Sequence, residues 1–183
     1  MGNVLDKKFF KRPVLTVAEE LIGKYLVCEN GEGMITEVEA YDGPEDKACH
    51  GCKGLTERTK PMFGSAGCWY VYLCYGMYWM LNIVTGDEGY PAAVLIRGVG
   101  ELDGLSCTGA KRLMQGPGKL TKNLKIDKSF NGLKSDKKTG LWIEDRGEII
   151  KSSEIKRTPR IGVAYAQEWA DKPYRFVLYR CYK

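Results

Sequence analysis

The sequence lacks several features that would each define a class of protein. Its 183 residues contain no apolar run of about 18 or more, so we expect no helix that crosses a membrane. The start of the chain, MGNVLDKKFF, lacks the apolar core of a secretion signal. We therefore expect an intracellular protein, in the cytoplasm or nucleoid or, in a eukaryote, the nucleus. Its seven cysteines are then expected to be reduced thiols.

Metal ligands are also scarce. Cys49 and Cys52 form the only C-x-x-C, and no second ligand pair follows at the spacing of a structural zinc site. The His-x-Glu and Pro-Cys-x-x-Cys motifs of zinc deaminases are absent, and the glycine-rich turn at residues 116–119 lacks the spacing of a P-loop. We therefore expect no metal site and no binding of a nucleoside triphosphate.

Positive charge is unevenly distributed along the chain. Residues 106–140 hold eight Lys and one Arg against two Asp, a charge of +7 within a total of +5, so the remainder carries −2. A basic segment on a near-neutral body suits a polyanion such as nucleic acid, although a solvated lysine-rich loop explains the same run. Gly118, Lys119 and Lys122 lie at a glycine-rich helix start, which makes them candidates for contacts with backbone phosphates.

The stretch 69–85 is the most distinctive part of the chain, since six of its seventeen residues are Trp or Tyr. Two β-prone halves flank Tyr75, Gly76 and Met77, which predicts a hairpin with Tyr75 at or beside its tip. Two buried core strands would explain the same composition. However, tyrosine usually needs a partner for its hydroxyl, and a core strand rarely places a large aromatic at a turn. Flat rings near a loop tip are suited to stacking on nucleobases or wedging between them.

The remaining pattern predicts one mixed α/β (α+β) domain over residues 1–183. A capping box from Thr16 to Glu19 predicts a short helix that ends near Gly23. A second short helix is expected to open at residues 116–119, a third helical piece at 167–170, and a loop at 154–159. Strands are expected at 25–28, 34–41, 92–99, 141–144, 161–164 and 174–180.

The predicted strand 34–41 carries an unusual polar face. With a period of two, Ile35, Glu37, Glu39 and Tyr41 point the same way, which is not a core pattern. We expect Glu37 to lie on a solvent-facing edge, whereas the environment of Glu39 depends on what covers it. In the apolar strand 92–99, Arg97 needs a counter-charge, which is either a carboxylate or a phosphate.

Four ordered blocks of the sequence resemble the alkyladenine (3-methyladenine) DNA glycosylases. They are residues 37–50, 70–84, 93–97 and 116–120, and the similarity extends from about residue 16 to 177. The resemblance implies a single compact domain around a curved, mainly antiparallel sheet with a protruding aromatic hairpin. It also implies hydrolysis of the N-glycosidic bond of damaged purines in duplex DNA, without a metal or cofactor, by a protein expected to be a monomer.

The resemblance further implies a role for particular residues. Glu39 takes the position of the general base, and Tyr41, His50 and Tyr72 form the walls of a pocket for a flipped base. Asn82 takes the position that discriminates between bases in that pocket.

Two further positions are implied to contact DNA. Tyr75 fills the gap that a flipped nucleotide leaves in the duplex, and Arg97 contacts a backbone phosphate or the active site. An alternative function remains open, since a non-catalytic protein could stack single-stranded bases on the same tyrosines without a carboxylate in the pocket.

Overall fold

The computed structural model describes residues 2–100 and 114–179 of the chain. The strands of these two ranges are β1 (Asn3–Val4), β2 (Tyr25–Cys28), β3 (Gly31–Asp42), β4 (Trp69–Cys74), β5 (Tyr78–Val84), β6 (Ala92–Gly100), β7 (Met114–Gln115), β8 (Leu141–Asp145), β9 (Ile155–Thr158) and β10 (Arg175–Leu178). The α-helices are α1 (Lys7–Phe10), α2 (Val14–Leu21) and α3 (Pro117–Asn123). Short 3-10 helices cover His50–Lys53, Lys60–Phe63, Lys128–Phe130, Lys137–Thr139, Ser152–Glu154 and Ala164–Trp169.

The strands form one curled antiparallel sheet in the order β1-β8-β2-β3-β6-β5-β4, with β7 paired to β6. The long strand β3 organises it, because its first half pairs with β2 and its second half with β10 on the same edge. On its other edge β3 pairs with β6. This arrangement confirms the predicted mixed α/β fold and places the middle of β3 between two neighbouring strands.

Helix α2 covers one face of this sheet. Its buried residues Val14, Val17, Ala18 and Leu21 follow the i, i+3, i+4, i+7 spacing of an amphipathic helix. They join the main core formed by the sheet, where burial of each large aliphatic side chain contributes about 1.5–3 kcal/mol. No helix in the described ranges is long and apolar enough to cross a membrane.

The predicted start of α2 was wrong. The helix begins at Val14, with Pro13 at the N-cap position and no side-chain cap, so Thr16 lies inside the first turn. The proline ring fixes φ, here −50°, and its ψ of 134° keeps Pro13 outside the helix, directly before the first helical residue. The observed N-cap, Pro13, thus lies three residues before Thr16, the N-cap that the capping-box pattern predicted.

The order of loop and strand near the carboxyl end was also predicted wrongly. The predicted loop contains strand β9, which pairs with β10, and the predicted strand at 161–164 is a bend that leads into a 3-10 helix. Pro159 cannot donate a ladder hydrogen bond, so the pairing stops at Thr158. The amide of Ile161 then bonds a buried side chain instead of a neighbouring strand. The last predicted strand is confirmed as the shorter β10, and its end at residue 180 lies outside the described ranges.

Strands β4 and β5 form the predicted aromatic hairpin, paired from Trp69↔Ile83 to Cys74↔Tyr78. Tyr75 and Gly76 have φ of 50° and 69°, and positive φ at both central residues is typical of a tight type I′ turn. The base of the hairpin is buried in the sheet while its tip is exposed. The hairpin therefore protrudes from the body of the protein.

Candidate active site

The carboxylate of Glu39 is the most deeply buried acid of β3, with no exposed surface. Its Oε1 accepts a hydrogen bond from the backbone amide of Ile161 at 2.7 Å. Its Oε2 accepts from the Tyr41 hydroxyl at 2.9 Å and from Arg97 Nη1 at 3.3 Å. Burial raises the pKa of Glu39, while the Arg97 charge, the Ile161 amide and the Tyr41 hydroxyl oppose that rise. The site thus holds one carboxylate with three donors.

Two β-bulges between β3 and β6 set the direction of the side chains around Glu39. The register between β3 and β6 shifts on either side of Glu37, which leaves Thr36 on one strand and Arg97 on the other without an opposite residue. Such irregularities re-aim the side chain at the bulge. Here Ile35 packs into the main core, so the expected alternation from Ile35 to Tyr41 is broken at the bulge. Arg97 points at the acids of β3, and its counter-charge is therefore a carboxylate.

The prediction that Glu37 faces solvent was wrong. Glu37 is 4% exposed, and its Oε1 accepts from Arg97 Nε at 2.9 Å and from Arg175 Nε at 2.7 Å. The reason is that β10 pairs along this half of β3 and brings Arg175 over the acid. A single sequence pattern cannot show which distant strand covers a polar face.

A pocket of about 490 Å³ opens in front of Glu39. Tyr41, His50, Tyr72, Asn82 and Arg97 line it, which brings together the residues expected to form the site. Glu39 itself lies directly behind the lining, bonded to Tyr41, Arg97 and Ile161, all of which face the pocket. The pocket thus combines aromatic walls with a carboxylate at its back.

One wall of the pocket is a cluster of aromatic rings. The rings of His50 and Tyr72 lie 4.6 Å apart between centroids, and those of Tyr70 and Tyr72 lie 5.2 Å apart. His50 Nδ1 is hydrogen-bonded to the Tyr70 hydroxyl at 2.9 Å. Burial, with the charges of Arg58 and Lys53, lowers the pKa of His50 to about 4. The histidine is therefore a neutral ring at physiological pH.

Asn82 lies at the inner end of the hairpin and is 3% exposed. Its Nδ2 donates to the backbone oxygens of Tyr70 at 3.0 Å and Met80 at 3.3 Å. Both acceptors belong to the hairpin, so the amide is held in one orientation at the pocket lining. Because both amide hydrogens are donated within the hairpin, Oδ1 is the Asn82 atom that can distinguish bases, by accepting from a hydrogen-bonding edge.

Tyr75 lines the outer part of the pocket and is 86% exposed at the hairpin tip. Its neighbours Met77 and Tyr78 are also exposed. A tip of exposed large apolar side chains indicates a surface that contacts a partner.

Gly118, Lys119 and Lys122 lie on α3, whose first residue, Pro117, lines the pocket. Both lysines are exposed. Gly118 packs against Tyr78, where an added Cβ would lie 2.6 Å from the ring. The close packing therefore explains the glycine at this position without any contact with phosphate. Contacts of these three residues with phosphate remain a prediction.

Residues 160–161 form a part of the site that the sequence analysis missed. Arg160 is buried, pairs with both carboxylate oxygens of Asp46 and donates to the backbone oxygen of Ala40 at 2.8 Å. Its guanidinium carbon lies 4.8 Å from the centre of the Tyr41 ring. Arg160 therefore holds Tyr41 in place and positions the next amide, Ile161, against Glu39. No local pattern signals this role, because the contacts span more than a hundred residues.

Tyr70 was also missed, although a signal existed. It lies two residues before Tyr72 on β4, so the period of two puts both rings on one face of the strand.

Among the described residues, no group of three or more His, Cys, Asp and Glu side chains is placed to hold a metal ion. Cys49 is buried, which raises the pKa of its thiol to about 12.

Comparison with known proteins identifies the family of this chain. Residues 8–181 match the model of the methylpurine-DNA glycosylase (MPG) family, which is nearly the whole chain. The chain therefore belongs to this family, as its sequence blocks indicated.

Individual relatives are similar along the same length. The chain is 44% identical over 181 residues to a protein of Legionella pneumophila (strain Corby), covering 95% of this chain and 93% of the relative. It is 46% identical over 179 residues to one of Wolbachia pipientis wMel, with coverage of 95% and 93%. It is 44% identical over 185 residues to one of Methanocella arvoryzae, with coverage of 94% and 91%. Each relative is named "Putative 3-methyladenine DNA glycosylase".

Proposed function

We propose that this protein is a monofunctional DNA glycosylase that removes alkylated or deaminated purines from duplex DNA by hydrolysing the N-glycosidic bond. The observation that carries the proposal is the position of Glu39, a fully buried carboxylate bonded to three residues that line an aromatic pocket. A protein that only stacks bases needs no carboxylate behind its pocket. Family membership and the relatives' names support the same reaction.

The target nucleotide must leave the duplex before this chemistry can occur. The carbon that is attacked is inaccessible in stacked DNA, and turning the nucleotide out costs a few kcal/mol. Tyr75, at the exposed hairpin tip, would fill the vacated space and lower the cost of the flipped state. Damaged bases pair poorly, so they flip at lower cost than normal ones.

The flipped base would stack between the Tyr41 and Tyr72 sides of the pocket, with His50 and Asn82 at its edges. A 3- or 7-alkylated purine carries positive charge, and contact with desolvated aromatic faces is worth about 1–2 kcal/mol. The neutral His50 ring adds no opposing charge, because its pKa is lowered to about 4. The pocket therefore suits bases with flat, electron-poor rings.

Glu39 would act as the general base. Among the described residues, Oε1 accepts from Ile161 alone and Oε2 from two donors, so Oε1 keeps capacity to accept from a water. Glycosidic cleavage passes through a state with oxocarbenium character, which a carboxylate stabilises while it orients the attacking water. A cationic purine departs without help from an acid, so one carboxylate is sufficient for that class of base.

Glu39→Gln tests this assignment directly. We expect base release to fall on the order of 10²–10⁴-fold, while binding to damaged duplex persists because the pocket and hairpin remain. Defined duplexes carrying 7-methylguanine, hypoxanthine or ethenoadenine are incubated with excess protein, and strand breaks are measured after alkali.

The matched control is Glu45→Gln, which removes an exposed carboxylate from the loop that follows β3. It should excise at the wild-type rate. Equal excision by Glu39→Gln would overturn the role of Glu39, and a wild-type protein that binds but never releases a base would favour the non-catalytic alternative.

A further inference from the structure

We propose that Arg58 is a displaceable cation in the pocket that shifts selectivity away from cationic damaged bases and towards neutral ones. The inference rests on the glycosylase function proposed above and concerns its choice of substrate. It arises from a side chain that neither the sequence blocks nor the carboxylate chemistry involve.

Arg58 lies on the aromatic wall of the pocket. Its side chain lines the cavity, and its guanidinium carbon lies 5.1 Å from the centre of the Tyr72 ring. Its charge also acts on His50 and Tyr70, the two other rings of this wall. A cation therefore occupies the face of Tyr72 on which a flat cationic base would stack.

The other arginine of the pocket differs in its charge balance. Arg97 is paired with Glu37 and Glu39, so its charge is compensated inside the protein. Within residues 2–100 and 114–179, no carboxylate forms an ion pair with Arg58, whose side chain is exposed to solvent. An exposed arginine of this kind can leave the ring at little cost and return to it.

Competition for the Tyr72 face gives the direction of the effect. A cationic 7-methylguanine must displace Arg58 or bear the repulsion of a second positive charge beside it. Neutral hypoxanthine must also displace Arg58 from the Tyr72 face, but it meets no charge repulsion from the guanidinium group that remains nearby. Arg58 therefore penalises cationic bases relative to neutral ones of similar size.

The experiment compares wild type, Arg58→Gln and Arg58→Lys on duplexes that differ only in the damaged base. Single-turnover excision of 7-methylguanine and of hypoxanthine is measured at subsaturating protein, and the ratio of the two rates is taken for each variant. Intrinsic differences in leaving-group reactivity cancel when these ratios are compared. We expect the ratio to rise about threefold to tenfold in Arg58→Gln, the range of a single cation–π contact, and to change little in Arg58→Lys.

Lys53→Gln is the control, because Lys53 is exposed at the end of the preceding 3-10 helix and also acts on His50, but does not line the pocket. Its ratio should match that of wild type. An unchanged or lower ratio in Arg58→Gln, or an equal rise in Lys53→Gln, would overturn the role of Arg58 while leaving the glycosylase function intact. If the wild type excised neither base, the proposed function would fall, and this inference with it.

Discussion

Glu37 and Glu39 lie two residues apart on β3, yet their surroundings differ. Glu37 is held by the guanidinium groups of Arg97 and Arg175, so its negative charge is fully compensated. Glu39 shares Arg97 at the longer distance of 3.3 Å and otherwise meets an amide and a hydroxyl. The comparison teaches that burial alone does not mark a catalytic acid. Glu37, which is paired with two arginines, stabilises the fold. Glu39, which has one more distant arginine and two uncharged donors beside a pocket, is the better candidate for a role in chemistry.

The largest effect on stability is expected from Glu37→Gln. The substitution leaves two arginines facing a neutral amide in a buried place, and breaking such a pair costs about 3 kcal/mol. Glu39→Gln should cost clearly less, since burial already penalises the Glu39 charge. Urea unfolding of both variants measures the difference. An equal loss of stability would show that the two acids play the same structural role.

The rate of base excision should depend on pH through the protonation of Glu39. Because burial raises the pKa of Glu39 above its usual 4.5, excision of neutral hypoxanthine should decline at a pH above that of an ordinary glutamate. Lowering the pH would protonate the Glu39 carboxylate, which could then no longer act as the proposed general base. His50 does not contribute to this decline, since its pKa of about 4 keeps it neutral. A rate–pH profile with no acid limb above pH 4.5 would contradict this expectation.

The raised pKa of Glu39 should make stability change with pH in the opposite direction to activity. A carboxyl whose pKa is higher in the folded state than in the unfolded one stabilises the fold while protonated. That contribution is lost as pH rises through the folded pKa. The unfolding free energy of wild type relative to Glu39→Gln should therefore fall as pH rises through this window, in which excision increases. A relative stability that rises with pH would reverse the assignment.

Tyr75→Ala changes an exposed side chain and, unlike the substitutions of the two buried acids, should affect DNA binding and not stability. Tyr75 is 86% exposed, so its loss should leave the unfolding free energy unchanged but weaken binding to ethenoadenine duplex about tenfold. Ile149→Ala is the matched control, because Ile149 is 85% exposed and does not line the pocket. Fluorescence titration of the duplex gives both affinities, and equal affinities for the Tyr75 variant and wild type would refute a wedge role.

The smallest effects are expected from Lys119→Gln and Lys122→Gln. Unlike Arg97, these exposed lysines are predicted to meet phosphates, so each variant should bind all duplexes about threefold more weakly. The slope of log affinity against log salt should fall by about one for each lysine removed. Lys156→Gln, an exposed lysine of β9, serves as the control. An unchanged slope would place the phosphate contacts elsewhere.

The residues of the candidate pocket were expected from the resemblance of four sequence blocks to a known family, whereas local rules alone predicted the aromatic hairpin and its turn. The hairpin rests on a period of two and on turn chemistry, which act over a few residues. The environment of Glu37, the role of Arg160 and the bend at 161–164 could not be predicted. Each depends on which segment packs against β3 from more than a hundred residues away.

The sequence by itself determined that a strand with two acids and a tyrosine precedes an aromatic hairpin with a tyrosine at its turn. Backbone sterics and side-chain alternation are sufficient for that much. Only the tertiary structure decided that Glu37 is enclosed by two arginines and that Glu39 receives the amide of Ile161 at the back of a pocket. The physical reason is that the partner of a buried charge is chosen by the packing of distant segments, which no local pattern encodes.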